Sequence, residues 1–462
     1  MSSETDKIKK VKEIANTISP TFCLAKWHHT TIYLHTGKTH SCYHPAPHHI
    51  PLEEIEANPA ALHNTIQKKK ERALMLIGEK PKGCQYCWNV EALSDTHISD
   101  RHERNAGIYN RQRLDEIVNN SWDANINPEY IELAFSNECN FKCGYCHPLH
   151  SSSFRSEIKK SGPYEKVKNH SCSIDWFEVF EEETNPYVKA WWEWWPEVSK
   201  TLNILRLTGG EPLMHRSTWR MFDELRNEGR PNLELNCNSN LGVKTALVEK
   251  LAVNVKELVS NKKIKNFKIF TSVDTWGKRA EYIRTGLDIK LWEKNLETYI
   301  HNANAPVSIM CTFNILSVTS FTDFLQKVLD WRAQYQKILN PGGYGRRIRF
   351  DTPYLKEPLQ YDMMILPKEE FLPYFDKILD FINDNKDDTD ATKFTELEYQ
   401  KFRRVRDYFA TVNYDEDKVK EGRIDFYNWF TEYDKRRNVN FLETFPEMNN
   451  FWNHCKQLSI QP

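Results

Sequence analysis

The stretch 131–146, IELAFSNECNFKCGYC, governs the reading of everything around it. Residues 131–136 are mostly apolar and read as a short strand, and a polar break then leads into Cys139, Cys143 and Cys146. Three thiolates spaced C-x3-C-x2-C on a loop at a strand's end can ligate three irons of a [4Fe-4S] cluster. The fourth iron then keeps an open position, because no fourth Cys is close by. The other reading of the triplet is a structural zinc loop, although zinc normally takes four protein ligands.

Downstream, short apolar runs at 203–207, 233–237, 267–273, 307–313 and 347–351 alternate with helical patterns at 218–229, 245–259, 290–302 and 321–335. Strand–helix alternation predicts parallel strands joined by right-handed crossovers. Six such units suit an α/β fold with a partial (β/α)6 barrel, whose chemistry belongs at the C-terminal ends of the strands. Upstream, residues 1–20 read as a polar leader with a short helix ending at Pro20. TTIYLHT and KTHSCYH flank Gly37 as a β-hairpin. A helix is expected over 52–78, interrupted near one end by Pro59, with the basic run 68–72 on its solvated face. A second, polar helix is expected over about 97–120. Beyond residue 360 the chain is acidic, aromatic and helical in pattern. These boundaries predict a leader (1–20), an N-terminal hairpin-plus-helix domain (21–125), the barrel (126–355) and a helical C-terminal extension (356–462).

Composition narrows the function. The 63 Lys+Arg and 64 Asp+Glu of the 462 residues leave a formal charge of -1, which gives no electrostatic signal for nucleic acid or a membrane surface. No apolar run approaches the roughly 18 residues of a membrane helix, and the first residues lack the apolar core of a secretory signal. A cytoplasmic protein is therefore expected, and in a reducing compartment its 11 Cys point to metal or catalysis rather than to disulfides. Cys172, Cys237, Cys311 and Cys455 are isolated and read as small buried hydrophobes. Seven His lie between His28 and His49 and read as surface residues around the hairpin, with mixed Cys/His zinc coordination as the alternative. The run 191–195, with four Trp in five positions, reads as core.

The triplet, with Tyr145 before its last Cys, resembles the signature of the radical S-adenosylmethionine (radical SAM) superfamily. One strand later, Gly209-Gly210-Glu211-Pro212 is similar to that superfamily's GGEP motif, which holds the amino group of the methionine half of SAM. Asn238 ends the third strand, and Ser272 and Asp274 end the fourth. Arg284 stands in a Y-x-R-x-G segment, and Asn314 follows the fifth strand. The resemblance implies that Ser272 and Asp274 lie near the ribose, Arg284 near the SAM carboxylate, and Asn238 and Asn314 beside the pocket. It also implies reductive cleavage of SAM to a 5′-deoxyadenosyl radical that takes hydrogen from the substrate. A reduced flavodoxin or ferredoxin is the expected electron donor.

A second set, Cys23, Cys42, Cys84 and Cys87, sits in a frame with Phe22, Trp27, Gly37, Gly78 and Glu91, joined by Ser99 and Arg101. This frame resembles the twitch domain, the short relative of SPASM domains, which carries an auxiliary iron–sulfur cluster. Four thiolates suit zinc as well. Better-known examples follow the barrel, whereas this one precedes it. Family association favours a peptide or protein substrate. The rival readings are modification of a nucleotide or small metabolite, and a non-catalytic iron–sulfur electron carrier or zinc-stabilised scaffold.

Overall fold

The computed structural model describes residues 4–92, 98–174, 178–339 and 348–460. One nine-stranded sheet carries the molecule. Its strands are β1 (His29–Tyr33), β2 (Lys38–His40), β3 (His48–His49), β4 (Tyr130–Ala134), β5 (Ile204–Thr208), β6 (Arg230–Asn238), β7 (Ile264–Ser272), β8 (Val307–Met310) and β9 (Ile348–Asp351). Their spatial order is β3-β2-β1-β4-β5-β6-β7-β8-β9. Strands β4 to β9 are parallel and follow chain order, which is the six-unit half barrel expected from the alternation. The sheet does not close into a full barrel, since β3 and β9 end it.

The hairpin is an extension of this sheet. β1 pairs antiparallel with β2 but parallel with β4, with His29 opposite Tyr130 and Tyr33 opposite Ala134. Gly37 turns the hairpin at φ +59°, and a Cβ there would run into the Tyr187 ring.

Along β4–β7 alternate residues are wholly buried, among them Leu133, Leu205, Leu207, Leu235, Cys237 and Ile269. They share one core with the helices between the strands. Intervening residues such as Glu132, Arg206 and Phe270 face the other side and stay partly exposed, while Asn236 on that side is buried. Helix Pro186–Val198 carries the tryptophan run, with Asn185 capping it through Tyr187 N and Val188 N. Trp191, Trp194 and Trp195 are core, as expected, while Trp192 stacks on Phe135 at 5.7 Å.

Several expectations need correction. The helix over 52–78 is three pieces, Leu52–Ala57, a 3-10 turn Pro59–Leu62, and Ile66–Leu76. Pro59 opens the turn, and the Thr65 side chain caps the last piece by accepting from Lys68 N. The helix over 97–120 is Asp100–Ile108 and Arg111–Asn119, divided where Asn110 caps the second. Residue 97 lies outside the described residues, as does Arg347 at the start of the last strand. The basic run is solvated only in part: Lys70 is exposed and Lys69 half-buried, but its two ends are not. Lys68 and Arg72 are wholly buried, with Lys68 Nζ donating to Thr30 and Thr39 and Arg72 donating to Lys26 O, Asn64 and His63. The histidines are not all at the surface either: His28 and His35 are wholly buried, and His29 and His40 nearly so.

Candidate functional site

The loop of Cys139, Cys143 and Cys146 starts where β4 ends, at the C-terminal edge of the parallel strands. Its conformation is set by two neighbouring loops. Lys142 N and Gly144 N donate to Thr285 O and Ile283 O of the Y-x-R-x-G segment. Asn140 donates to Gly242 O and accepts from Asn240. Ser152 Oγ accepts from Cys139 N at the start of the next helix, Ser152–Ser161. Cys139, Cys143 and Cys146 are each half-buried on this loop. Burial pushes all three thiols upward, Cys146 to about 12, and the Arg284 guanidinium beside Cys143 opposes the rise. A bound cation reverses that preference and holds thiolates.

The glycines after β5 allow close backbone approach. Gly209 has φ +114°, and a Cβ on Gly210 would overlap the carbonyls of Asn137 and Glu138. Gly210 N and Glu211 N donate to Ser136 O and Glu138 O, so this loop lies directly against the cysteine loop. The Glu211 carboxylate is wholly buried. It accepts from Leu213 N at 3.0 Å, Ser239 Oγ at 2.9 Å and Asn240 N at 2.6 Å. Burial outweighs these bonds and lifts it to about 7. In this arrangement Glu211 ties the end of β5 to the end of β6.

Asp274 and Arg284 form a buried two-pronged ion pair, with Nε and Nη2 each 2.9 Å from a carboxylate oxygen. Asp274 also accepts from the Tyr145 hydroxyl at 2.8 Å and from Thr312 N. The remaining guanidinium nitrogen, Nη1, lies 3.8 Å from Cys143 Sγ. Tyr145, Asp274, Arg284 and the Cys143 thiol are thus one assembly.

The other candidates divide. Asn238 accepts from Arg206 on the concave face of the sheet. Ser272 is partly exposed at the end of β7, opposite Met310. Asn314 is wholly buried, and its amide serves its own turn, donating to Thr312 O and accepting from Leu316 N.

The C-terminal extension contributes residues that no local pattern marked. Arg437, at the end of helix Glu416–Arg437, donates to Lys142 O at 2.6 Å and to Thr285 Oγ1, and pairs with Glu157. Tyr433 bonds Thr285 Oγ1 and Tyr282 O. Tyr361 sits against Gly144 and meets the Tyr145 ring edge-on. The only sequence signal for them is a cluster of Arg and aromatic residues in an otherwise acidic region.

The second cysteine set shares one pocket. Cys23, Cys42, Cys84 and Cys87 line it with Lys26 and Arg101. Burial raises Cys23 to about 12 and Cys87 to about 11, and the neighbouring Cys42 adds to both. Burial lowers Lys26, but Cys84 and Glu71 outweigh it and hold the ammonium charged. Glu91 binds Arg101 through both oxygens and accepts from Ser99, while Arg101 donates to Phe22 O. Phe22 packs on Trp27 with ring centres 5.0 Å apart. No three Cys, His, Asp or Glu side chains among the described residues are placed around a single-ion site.

No protein-family model matches the chain. Over 210 residues it is 27% identical to the radical SAM cyclopropyl synthase TigE of Paramaledivibacter caminithermalis, covering 44% of this chain and 39% of that protein. Over 112 residues it is 29% identical to the GTP 3′,8-cyclase of Nautilia profundicola, covering 24% of this chain and 27% of that protein. Both matched stretches are similar to radical SAM enzymes. The chain spans well under half the length of the curated relatives it matches. The FeFe-hydrogenase maturase HydG of Carboxydothermus hydrogenoformans aligns at 12% identity over 99% of this chain and 100% of that one, with a TM-score of 0.27, too low to establish a common fold. Among the described residues, no helix is long and apolar enough to cross a membrane.

Proposed function

We propose that this protein is a radical SAM enzyme acting on a peptide or protein, with a [4Fe-4S] cluster held by Cys139, Cys143 and Cys146. The observation that carries the reading is the assembly around that loop: three thiols at a strand end, backed by the Gly209–Gly210 approach and by the Asp274–Arg284–Tyr145 group. Three thiols on one strand-end loop fit a cluster with one open iron. When bound and reduced, such a cluster supplies the electron that cleaves SAM and so delivers a hydrogen-abstracting radical. The chain's own part is positional. Gly209 and Gly210 would let backbone approach the methionine half of SAM, Asp274 holds Arg284 and Tyr145 in place, and Arg284 Nη1, donating to Cys143 Sγ, supplies positive charge there.

The N-terminal segment 21–125 is read as an auxiliary-cluster module. Four thiols around one pocket, with Lys26 and Arg101 beside them to offset a negative metal–thiolate centre, support this. Zinc is the second reading of that pocket. A reduced flavodoxin or ferredoxin of the cytoplasm is the proposed donor.

Spectroscopy and metal analysis test both parts. Adding SAM to the anaerobically reduced protein is expected to change the cluster's paramagnetic resonance spectrum, because the open iron gains ligands. An unchanged spectrum contradicts the assignment. The Cys84→Ala/Cys87→Ala double variant is expected to lose about half its iron and sulfide. Loss of zinc alone would assign the pocket to zinc.

A further inference from the structure

Arg206 of β5 and Asn236 of β6 are register partners on the face of the sheet opposite the main helix-packed core. Their neighbours Leu205, Leu207, Leu235 and Cys237 are wholly buried on the helix side, so alternation turns Arg206 and Asn236 inward to the half-barrel lumen. Two contacts confirm the direction. The Arg206 guanidinium lies 4.2 Å from the centre of the Phe270 ring on β7, and its Nε donates to Asn238 Oδ1 at 2.9 Å. Phe270 in turn lines an open pocket with Ser308, Met310, Arg349 and Asp351. Arg206 stands two residues before the end of β5, roughly 7 Å below the mouth where the cluster loop lies.

Both side chains have unused capacity. Among the described residues, no carboxylate lies within ion-pair distance of Arg206. Glu132, its register partner on β4, acts on it only through the field, and the Tyr130 hydroxyl is its other polar neighbour. Asn236 is 4% exposed. Its Nδ2 donates to Glu234 Oε1, which fixes the orientation of the amide, and its Oδ1 has no partner. A half-buried cation beside a buried acceptor that no protein group satisfies suits a ligand that brings a negative oxygen and a donor together.

We propose that Arg206 and Asn236 anchor the substrate by a carboxylate and an adjacent N–H, the combination found at a peptide C-terminus. The carboxylate meets the guanidinium and the N–H meets Asn236 Oδ1. This names the substrate group for the peptide reading and rests on it. A phosphate fits less well, because its second negative charge faces Glu132.

Equilibrium dialysis of labelled N-acetylglycine against the reconstituted enzyme with SAM tests the anchor, with N-acetylglycinamide and inorganic phosphate as competitors. The wild type is expected to bind N-acetylglycine, and neither competitor is expected to displace it. Arg206→Gln and Asn236→Leu should each weaken binding about tenfold or more, and Arg206→Lys should recover part of the loss. Wild-type affinity in Arg206→Gln, no binding by the wild type, or stronger binding of phosphate than of N-acetylglycine would each overturn the proposal. Melting curves accompany each variant; if Arg206→Gln does not fold, Arg206→Lys and the competition in the wild type decide. Failure of the radical SAM reading shows separately, as a wild type that does not cleave SAM.

Discussion

Arg284 does two jobs with one side chain. Its Nε and Nη2 are committed to Asp274, while Nη1 remains beside Cys143. Removing it leaves a wholly buried carboxylate without its counter-charge, a loss of about 3–5 kcal/mol for such pairs. Arg284→Ala is therefore expected to lower the urea midpoint markedly as well as weaken SAM binding. Unaltered stability would show that Asp274 is satisfied by Tyr145 and Thr312 alone. Arg284 was legible because its segment carries a recognisable spacing, and Asp274 because it closes a strand. Their union was not legible, since each had been matched to a different part of SAM, and only the fold brings them within 2.9 Å. Lys68 and Arg72 mark the opposite limit. A basic run at helical spacing reads as solvated, yet both side chains find buried oxygen and imidazole partners contributed by other elements.

Elements were read well where periodicity carried them and poorly where a cap cut them. Each barrel strand and each of the four expected crossover helices lies within a few residues of its apolar pattern, because strand alternation and helical faces are printed directly in hydrophobicity; helices Ser152–Ser161 and Pro186–Val198, between β4 and β5, were not expected. Thr65 and Asn110 each start a new helix in the middle of what reads as one, through side-chain bonds that hydropathy does not encode. The segment leading into β1 also has a pH signature. Burial holds His28 at about 4, with Arg113 and Arg72 adding to the effect, against an ordinary value of 6.5. Between these values the unfolded chain takes up a proton that the folded one refuses, so stability is full above pH 6.5 and declines as pH falls toward 4. This one residue accounts for about 3 kcal/mol of that decline. His28→Leu should flatten the slope of unfolding free energy against pH across this window; an unchanged slope would contradict it. Helix Glu416–Arg437 is expected to hold the cluster loop closed through Arg437. Arg437→Met should speed loss of iron to a chelator about tenfold while leaving the three thiols in place. Wild-type kinetics would reduce the extension to a bystander.

At the scale of the molecule, the hairpin expected in a separate N-terminal domain is joined edge to edge with the half barrel. β1 covers β4, the strand that delivers the cluster loop, so residues 1–125 protect an edge as well as carrying four thiols. A chain beginning at residue 126 is expected to aggregate or to lose the cooperative transition of the full protein, and a soluble, cooperatively folding fragment would show instead that β1 is dispensable. The sequence pattern could not reveal this connection, because parallel pairing between β1 and β4 spans about a hundred residues and leaves no local trace. The same long-range assembly places the C-terminal helices against Gly144 and Lys142, so the last hundred residues reach the loop that β4 delivers.

The central claim is that this loop, in this setting, turns SAM into a radical source. The direct measurement is production of 5′-deoxyadenosine and methionine by the anaerobically reconstituted protein with dithionite and SAM, run beside Cys143→Ala. The wild type should form both products in equal amounts and the variant neither, because the cluster has only three protein ligands to lose. Equal cleavage by the two proteins, or none by an iron-loaded wild type, would contradict the account.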